Sequence, residues 1–250
     1  MGRGLTAGTR QTILGYYNST ATGPSSDGKL TATATNAATI FQFGAGSSST
    51  RGNVMSLLNN GDVYFTGDLD ANNADYAECF EWSDGNNNKE DRRGRFVTID
   101  YDDKIRFATA DDDYILGIVS GAPVIVGDAC SEEWHSKYLR DIYGAYLYEV
   151  VDYPAEYDED GNITAEAYSE VVRKPNPNYD ATEKYIPRKH RPEWSAIGMM
   201  GKLVLDDDGT CEVGGFAAPG KDGIATRGTS INGYKVIARL DENHVRVIFR

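Results

Sequence analysis

Apolar residues along this chain fall in short runs, most of them alternating with polar positions and bounded by Gly, Asn and Asp. That is the period of strands rather than helices. Early runs are Thr12–Tyr17, Ala38–Phe43 and Val54–Leu58, and the turn Asn59-Asn60-Gly61-Asp62 leads into Val63–Gly67. Further on, Arg95–Asp100 and Lys104–Ala108 flank a Tyr101-Asp102-Asp103 turn, and Tyr114–Ser120 is nearly all apolar, the mark of a central strand. Gly201–Leu205 and Thr210–Val213 flank Asp206-Asp207-Asp208-Gly209, which predicts a hairpin. The chain closes with Tyr234–Leu240, a turn over Asp241-Glu242-Asn243, and His244–Arg250. In that last run His244, Arg246 and Arg250 interrupt the apolar positions, predicting a strand with one wet face. A single short helix is predicted over Glu132–Asp141, with Ser131 as N-cap and acids in its first turn. Residues 152–193 are polar and broken by five prolines, and read as an excursion of two irregular hairpins. The expected fold is all-β, with a compact β-barrel-like body.

Composition divides the chain. Residues 1–70 hold four basic side chains (Arg3, Arg10, Lys29, Arg51) and four acidic ones (Asp27, Asp62, Asp68, Asp70), so the net −13 belongs entirely to residues 71–250. The first segment is rich in Gly, Thr, Ser, Ala and Asn. Strands so poor in large aliphatics cannot close a core within one copy. Several copies wound around one axis would pool their apolar stripes. The segment therefore reads as the end of a fibrous, homo-oligomeric β-stalk, with a floppy linker as the plainer alternative.

The remaining composition excludes more than it assigns. The acidic balance argues against a net-basic nucleic-acid binder and against docking on an anionic membrane. No apolar run approaches the ~20 residues of a membrane-spanning helix, and the opening MGRGLTAGTR lacks the apolar core of a signal peptide. Cys79, Cys130 and Cys211 form no CxxC spacing, and His135, His190 and His244 form no HxxxH pair. A reducing compartment is expected, and neither a metal nor a cofactor.

The junction Asn72–Gly85 carries the densest chemistry. Asp75, Glu78, Glu81 and Asp84 recur every third residue. On a helix that spacing would stack four carboxylates on one face, and crowded carboxylates raise one another's pKa into the range of a useful acid or base. A solvated acidic turn is the plain reading of the same residues. Arg92, Arg93 and Arg95 come soon after, able either to pair with these acids or to stabilise an oxyanion. Elsewhere, His135 reads as a helix-surface histidine and Ser195 lacks a Gly-x-Ser-x-Gly context. Gly214-Gly215 and Gly220–Gly223 fall short of a phosphate-binding loop.

An ordered series extends from this junction. It runs through Ala74–Glu78, Phe80–Gly85, Glu90–Val97, Tyr114–Ser120, Tyr185–Arg188, Arg191–Trp194, Gly201–Val204, Asp207–Cys211 and the terminal strand. The series, covering about 74–250, resembles the autoproteolytic intramolecular chaperone domains at the C-terminus of bacteriophage tailspikes and pre-neck appendage proteins, classed with the glutamic peptidases. The resemblance implies a homotrimeric, β-helix- or β-prism-like stalk over 1–73 and a chaperone head over 74–250. The head would trimerise with copies of itself, fold the upstream domains of its own spike, and then cut itself away in cis or across subunits. It implies a scissile bond at Ala74–Asp75, with Glu78 as general base. Asp75 would polarise the carbonyl or protonate the leaving amine, and Arg92 or Arg93 would stabilise charge. Assembly in the host cytoplasm and a mature place on the virion tail or neck would follow. The competing expectation is a trimeric, receptor-binding fibre tip that is never cut; the aromatics over 134–157 would either contact a surface glycan or, the favoured reading, line the trimer interface.

Overall fold

The computed structural model describes residues 2–3, 12–16, 39–59, 61–130 and 136–250. Two compact units emerge: Met1–Leu69 together with Ser136–Asp180, and Asp70–His135 together with Ala181–Arg250. The expected all-β character holds. Among the described residues the helical content is limited to single 3-10 turns at Arg188–His190 and Lys221–Gly223.

In the first unit, β1 (Gly2–Arg3), β2 (Thr12–Tyr16), β3 (Thr39–Ala45), β4 (Asn53–Leu58) and β5 (Val63–Phe65) form one sheet in chain order. β1, β2 and β3 run parallel, and β3–β4–β5 is an antiparallel meander. β2 to β5 are the early strands expected from the apolar runs, and β1 adds to them. Phe43, Val54, Val63, Tyr64, Phe65 and Leu69 are exposed, so a single copy leaves much of this segment's apolar surface in water.

The second unit starts with β6 (Asp75–Glu81), β7 (Phe96–Ile99), β8 (Ile105–Phe107), β9 (Gly117–Val119) and β10 (Ile125–Gly127). Between its two parts the chain runs out through the first unit's β11 (Tyr148–Tyr153), β12 (Glu156–Tyr157), β13 (Ile163–Ala165) and β14 (Tyr168–Arg173). β11 pairs with β14, and β12 with β13 beyond it, around a turn where the Asp158 carboxylate accepts the Asp160 and Asn162 N–H groups. The excursion is thus one nested arm followed by irregular chain, not two successive hairpins. Long-range pairing of its two legs overrides the local turn signals on which the expectation was built. The helix expected over Glu132–Asp141 is not found in its described part: Tyr138 bridges Pro175 and Arg140 bridges Tyr146. Ser131 to His135 lie outside the described residues.

The chain returns as β15 (Trp194–Asp206), β16 (Phe216–Pro219), β17 (Ala225–Arg227), β18 (Tyr234–Arg239) and β19 (His244–Phe249), completing a ten-stranded sheet curled into a half-barrel. β15 is its spine. Gly201 to Asp206 pair with β19, Ile197–Gly198 with β9, and Trp194 to Gly201 with β6. The hairpin expected between Gly201–Leu205 and Thr210–Val213 is absent. Leu205 instead lies opposite Val245, because the alternating C-terminal strand offers a longer apolar face than Thr210–Val213. The Asp207 carboxylate turns back to accept the Cys211 N–H and Arg239.

Alternation sends neighbouring residues to two cores. Phe96 and Ile118 join Leu203, Leu205, Val245, Val247 and Phe249 on one side, while Val97 and Val119 join Trp82, Ile105, Leu116 and Ile197 on the other. That is why Tyr114–Ser120 is nearly all apolar. β19 buries Val245, Val247 and Phe249 and leaves His244, Arg246 and Ile248 partly wet, as its pattern requires.

Candidate functional site

β6 starts at Asp75, so the Ala74–Asp75 bond is the point where the chain enters the curled sheet. The strand lies between β10, parallel to it, and β15, antiparallel. Its first residue is held by backbone: the Val124 N–H donates to the Asp75 carbonyl at 2.8 Å, and Asp75 sits opposite Gly201. On the β15 side the register slips between Gly198 and Met200, a bulge that brings two glycines against the bond. Gly201 has φ +121°, and a Cβ there would lie 2.2 Å from the Ala74 carbonyl oxygen and 2.9 Å from the Asp75 Cα. A Cβ at Gly198 would lie 3.1 Å from Asp75 Oδ2. A side chain at Gly201 would force the Ala74–Asp75 peptide to shift, and one at Gly198 would crowd the Asp75 carboxylate and the Leu203 side chain.

Asp75 is 5% exposed, and its Oδ2 is buried without a hydrogen bond among the described residues. Buried carboxylate oxygens are nearly always bonded, so this one stands out. The bond opens onto a cleft of about 960 Å³ whose lining includes Asn72, Asn73, Arg93, Lys202, Asp206 and Arg246.

A strand, not a helix, carries the acidic junction, and this disperses its carboxylates. Asp75, Ala77 and Cys79 are buried on one face while Tyr76 and Glu78 point to the other. Glu78 Oε1 accepts the Tyr76 hydroxyl at 2.5 Å, which raises the tyrosine above its ordinary pKa. At ~3.3 Å per residue, the Glu78 Cα is about 10 Å from that of Asp75. One copy of the chain therefore does not bring the Asp-x-x-Glu pair together at the bond. Glu81 pairs with Lys104 at 2.7 Å, and Asp84 with Arg92.

The two candidate arginines separate as well. Arg92 is 7% exposed, donates to both Asp84 oxygens at 2.9 and 2.7 Å and to Glu90 at 3.1 Å, and stacks 4.3 Å over the Trp82 ring. It braces the loop after β6. Arg93 does reach the cleft, with its Nε donating to Asp91 at 2.8 Å. Ser195 accepts the Trp82 indole N–H at 2.9 Å, and burial pushes the Cys79 thiol up, so neither is set up as a nucleophile. Among the described residues no group of three or more His, Cys, Asp or Glu is placed to hold a metal ion.

Sequence reasoning assigned no site role to Gly198 and Gly201, which lie against Asp75 and the Ala74 carbonyl, or to Lys202 in the cleft. The spaced glycines of Gly198-Met199-Met200-Gly201 were the available signal, since glycine inside a long strand often marks a bulge or a close backbone approach.

Comparison with known proteins places this geometry in context. The family model "Peptidase_G2, IMC autoproteolytic cleavage domain" matches residues 29–243. The chain is 35% identical over 156 residues to the pre-neck appendage protein of Bacillus phage B103, covering 62% of this chain and 16% of that protein. It is 30% identical over 173 residues to the putative phage-related protein YobO of Bacillus subtilis (strain 168), covering 68% and 19%. It thus spans about a sixth to a fifth of the length of these relatives. The crystal structure of pre-mature bacteriophage phi29 gene product 12 has the same fold over 98% of this chain and 28% of that one, with a TM-score of 0.67 at 22% identity. A C-terminal fragment of the same gene product matches 70% of this chain over its whole length, with a TM-score of 0.50 at 27% identity.

Proposed function

The chain belongs to the Peptidase_G2 family of IMC autoproteolytic cleavage domains, and from that premise we propose that it is the C-terminal intramolecular chaperone of a phage appendage spike. It assembles with two further copies of itself, folds the spike to which it is joined, and releases itself by hydrolysing the Ala74–Asp75 bond. The observation that supports this bond is the buried, unbonded Asp75 carboxylate over Gly198, next to a peptide that Gly201 approaches closely. The chemistry is that of glutamic/aspartic peptidases, performed once per chain. A Glu78 carboxylate takes a proton from water as its oxygen bonds to the Ala74 carbonyl carbon. The resulting tetrahedral oxyanion collapses, the C–N bond breaks, and the proton passes to the Asp75 nitrogen with the Asp75 carboxyl as relay. The products are a carboxylate at Ala74 and an amino terminus at Asp75.

Because Glu78 faces away from its own Asp75, the Glu78 of a neighbouring copy is the better placed base. That couples the cut to assembly: the site is complete only when copies meet. The exposed apolar residues of β3–β5 support the same dependence, since further copies would cover them. A high-contact-order stalk gains from a head that holds three chains together, and irreversible removal of the head then leaves it kinetically trapped. By analogy with the named pre-neck appendage proteins, the mature spike sits at the virion neck after assembly in the host cytoplasm.

A second reading, an uncut receptor-binding tip, draws on the first unit, where Ile142 and Tyr143 are 93% and 92% exposed. Intact mass spectrometry of the freshly purified chain beside Glu78→Gln and Asp75→Asn separates the two. Fragments 1–74 and 75–250 in the parent, absent in Glu78→Gln, are expected. A single uncut mass in a stable trimer would support the tip instead.

A further inference from the structure

Adding water to the Ala74 carbonyl puts negative charge on its oxygen, and a positioned positive group there is commonly the largest single contribution to acyl-transfer catalysis. A role for such a group depends on the proposed cut at Ala74–Asp75. The arginines near that bond are engaged: Arg92 with Asp84 and Trp82, Arg93 with Asp91, and Arg95 with Asp206 at 2.8 Å. Two cations lining the same cleft, Lys202 and Arg246, make no hydrogen bond or ion pair among the described residues.

Register decides between them. Lys202 directly follows Gly201, the residue whose Cα abuts the Ala74 carbonyl. Arg246 lies opposite Val204, which is about 7 Å beyond Lys202 along β15, and it is one strand spacing of ~4.8 Å across. His244, opposite Asp206 and bonded to Asp241, is further still. Alternation also keeps Lys202 from being neutralised by the adjacent acid. Asp75 Oδ2 shares the space over Gly198 with the buried Leu203 side chain, while Lys202 is exposed on the other face of β15.

We propose that Lys202 is a further catalytic residue, whose ammonium stabilises the oxyanion formed on Ala74. The dipeptide Gly201-Lys202 then serves the bond twice: the glycine admits the carbonyl to the sheet and the lysine supplies the charge. Lysine suits this position, because a compact charge on a flexible four-carbon stem can follow the oxygen as it moves out of the peptide plane.

The test is a time course of intact mass on the full chain, comparing the parent with Lys202→Met, Lys202→Arg and Arg246→Met, and with thermal midpoints measured in parallel. Lys202→Met should slow release of the 75–250 fragment by about 10²–10³-fold. Lys202→Arg should keep the rate within about tenfold, Arg246→Met should stay near the parent, and all four midpoints should agree. If Lys202→Met cuts at the parental rate while the parent cuts at Ala74–Asp75, this inference falls and the assigned bond stands. A slow Lys202→Met that Lys202→Arg does not restore would mean packing rather than charge, and overturns it too. A parent that cuts at another bond, or not at all, overturns the assigned bond and this inference with it.

Discussion

Replacing Gly201 by alanine perturbs the proposed scissile peptide with the least chemical change. The added Cβ would sit 2.2 Å from the Ala74 carbonyl oxygen, 0.8 Å inside the 3.0 Å below which real Cβ contacts are essentially never found. Both partners are backbone, Ala74 lying directly before β6, so no flexible side chain can move aside. The φ of +121° adds a strain of order 1–3 kcal/mol for an L side chain. Against a typical stability of about 5–15 kcal/mol the chain still folds. A displacement of about 1 Å at a reacting bond, by contrast, costs on the order of 10²-fold in rate. The control is Gly209→Ala, since Gly209 has φ +90° with nothing within 4 Å of its Cβ position and lies outside the cleft. Cleavage is followed by intact mass at fixed chain concentration, and folding by thermal midpoint. Gly201→Ala should remain folded and cut about 10²-fold slower, while Gly209→Ala loses stability and cuts at the parental rate. If Gly201→Ala cuts normally, or if Gly209→Ala slows equally, the clamp does not position the bond.

Other consequences are independent of that clamp. In a mixture of Glu78→Gln and Asp75→Asn chains, cutting across subunits predicts release of 75–250 from the Glu78→Gln chains alone, whereas cutting in cis predicts none. Arg92→Met loses charged hydrogen bonds and ring stacking worth about 1–3 kcal/mol, so its midpoint should fall while its rate per folded molecule stays parental. Arg106 holds the Asp112 carboxyl at about 2 instead of 3.8. A depressed carboxylate stabilises the fold above its unfolded pKa and loses that contribution as pH falls towards 2. Midpoints measured from pH 5 to pH 2 should therefore drop more steeply in the parent than in Asp112→Asn. Burial, followed by the Asp207 carboxylate, pushes Cys211 up to about 12, so iodoacetamide should modify it only as fast as the protein unfolds.

Strand positions were legible wherever alternation was strict. β18 and β19 follow directly from Val236, Val245, Val247 and Phe249, because a period of two with one wet face admits no other regular structure. Partners were less legible. The sequence pairs Gly201–Leu205 with the next apolar run, whereas β15 takes its partners from β6, β9 and β19, all remote in the chain. Local turn signals report where the chain can reverse, not which face gains most by being covered. The helix over Glu132–Asp141 failed for the same reason in its described part, where Tyr138 and Arg140 find cross-chain bridges instead.

Residue types in local order were enough to establish the class of fold, the family, and the junction at which the chemistry is proposed. They did so through alternating runs, a change of composition near residue 70, and the motif series that starts at Ala74. Which of those residues meet depended on tertiary contacts. The same Asp-x-x-Glu spacing that a helix would stack, a strand divides between two faces, leaving Asp75 buried beside Gly198 and Glu78 bonded to Tyr76. The same run of arginines sends Arg92 onto Trp82 and Arg93 into the cleft, while Lys202, remote in sequence from the junction, joins Ala74 in lining that cleft. The reason is physical: a strand's period is local, but its neighbours are set by the burial of surfaces tens to more than a hundred residues apart.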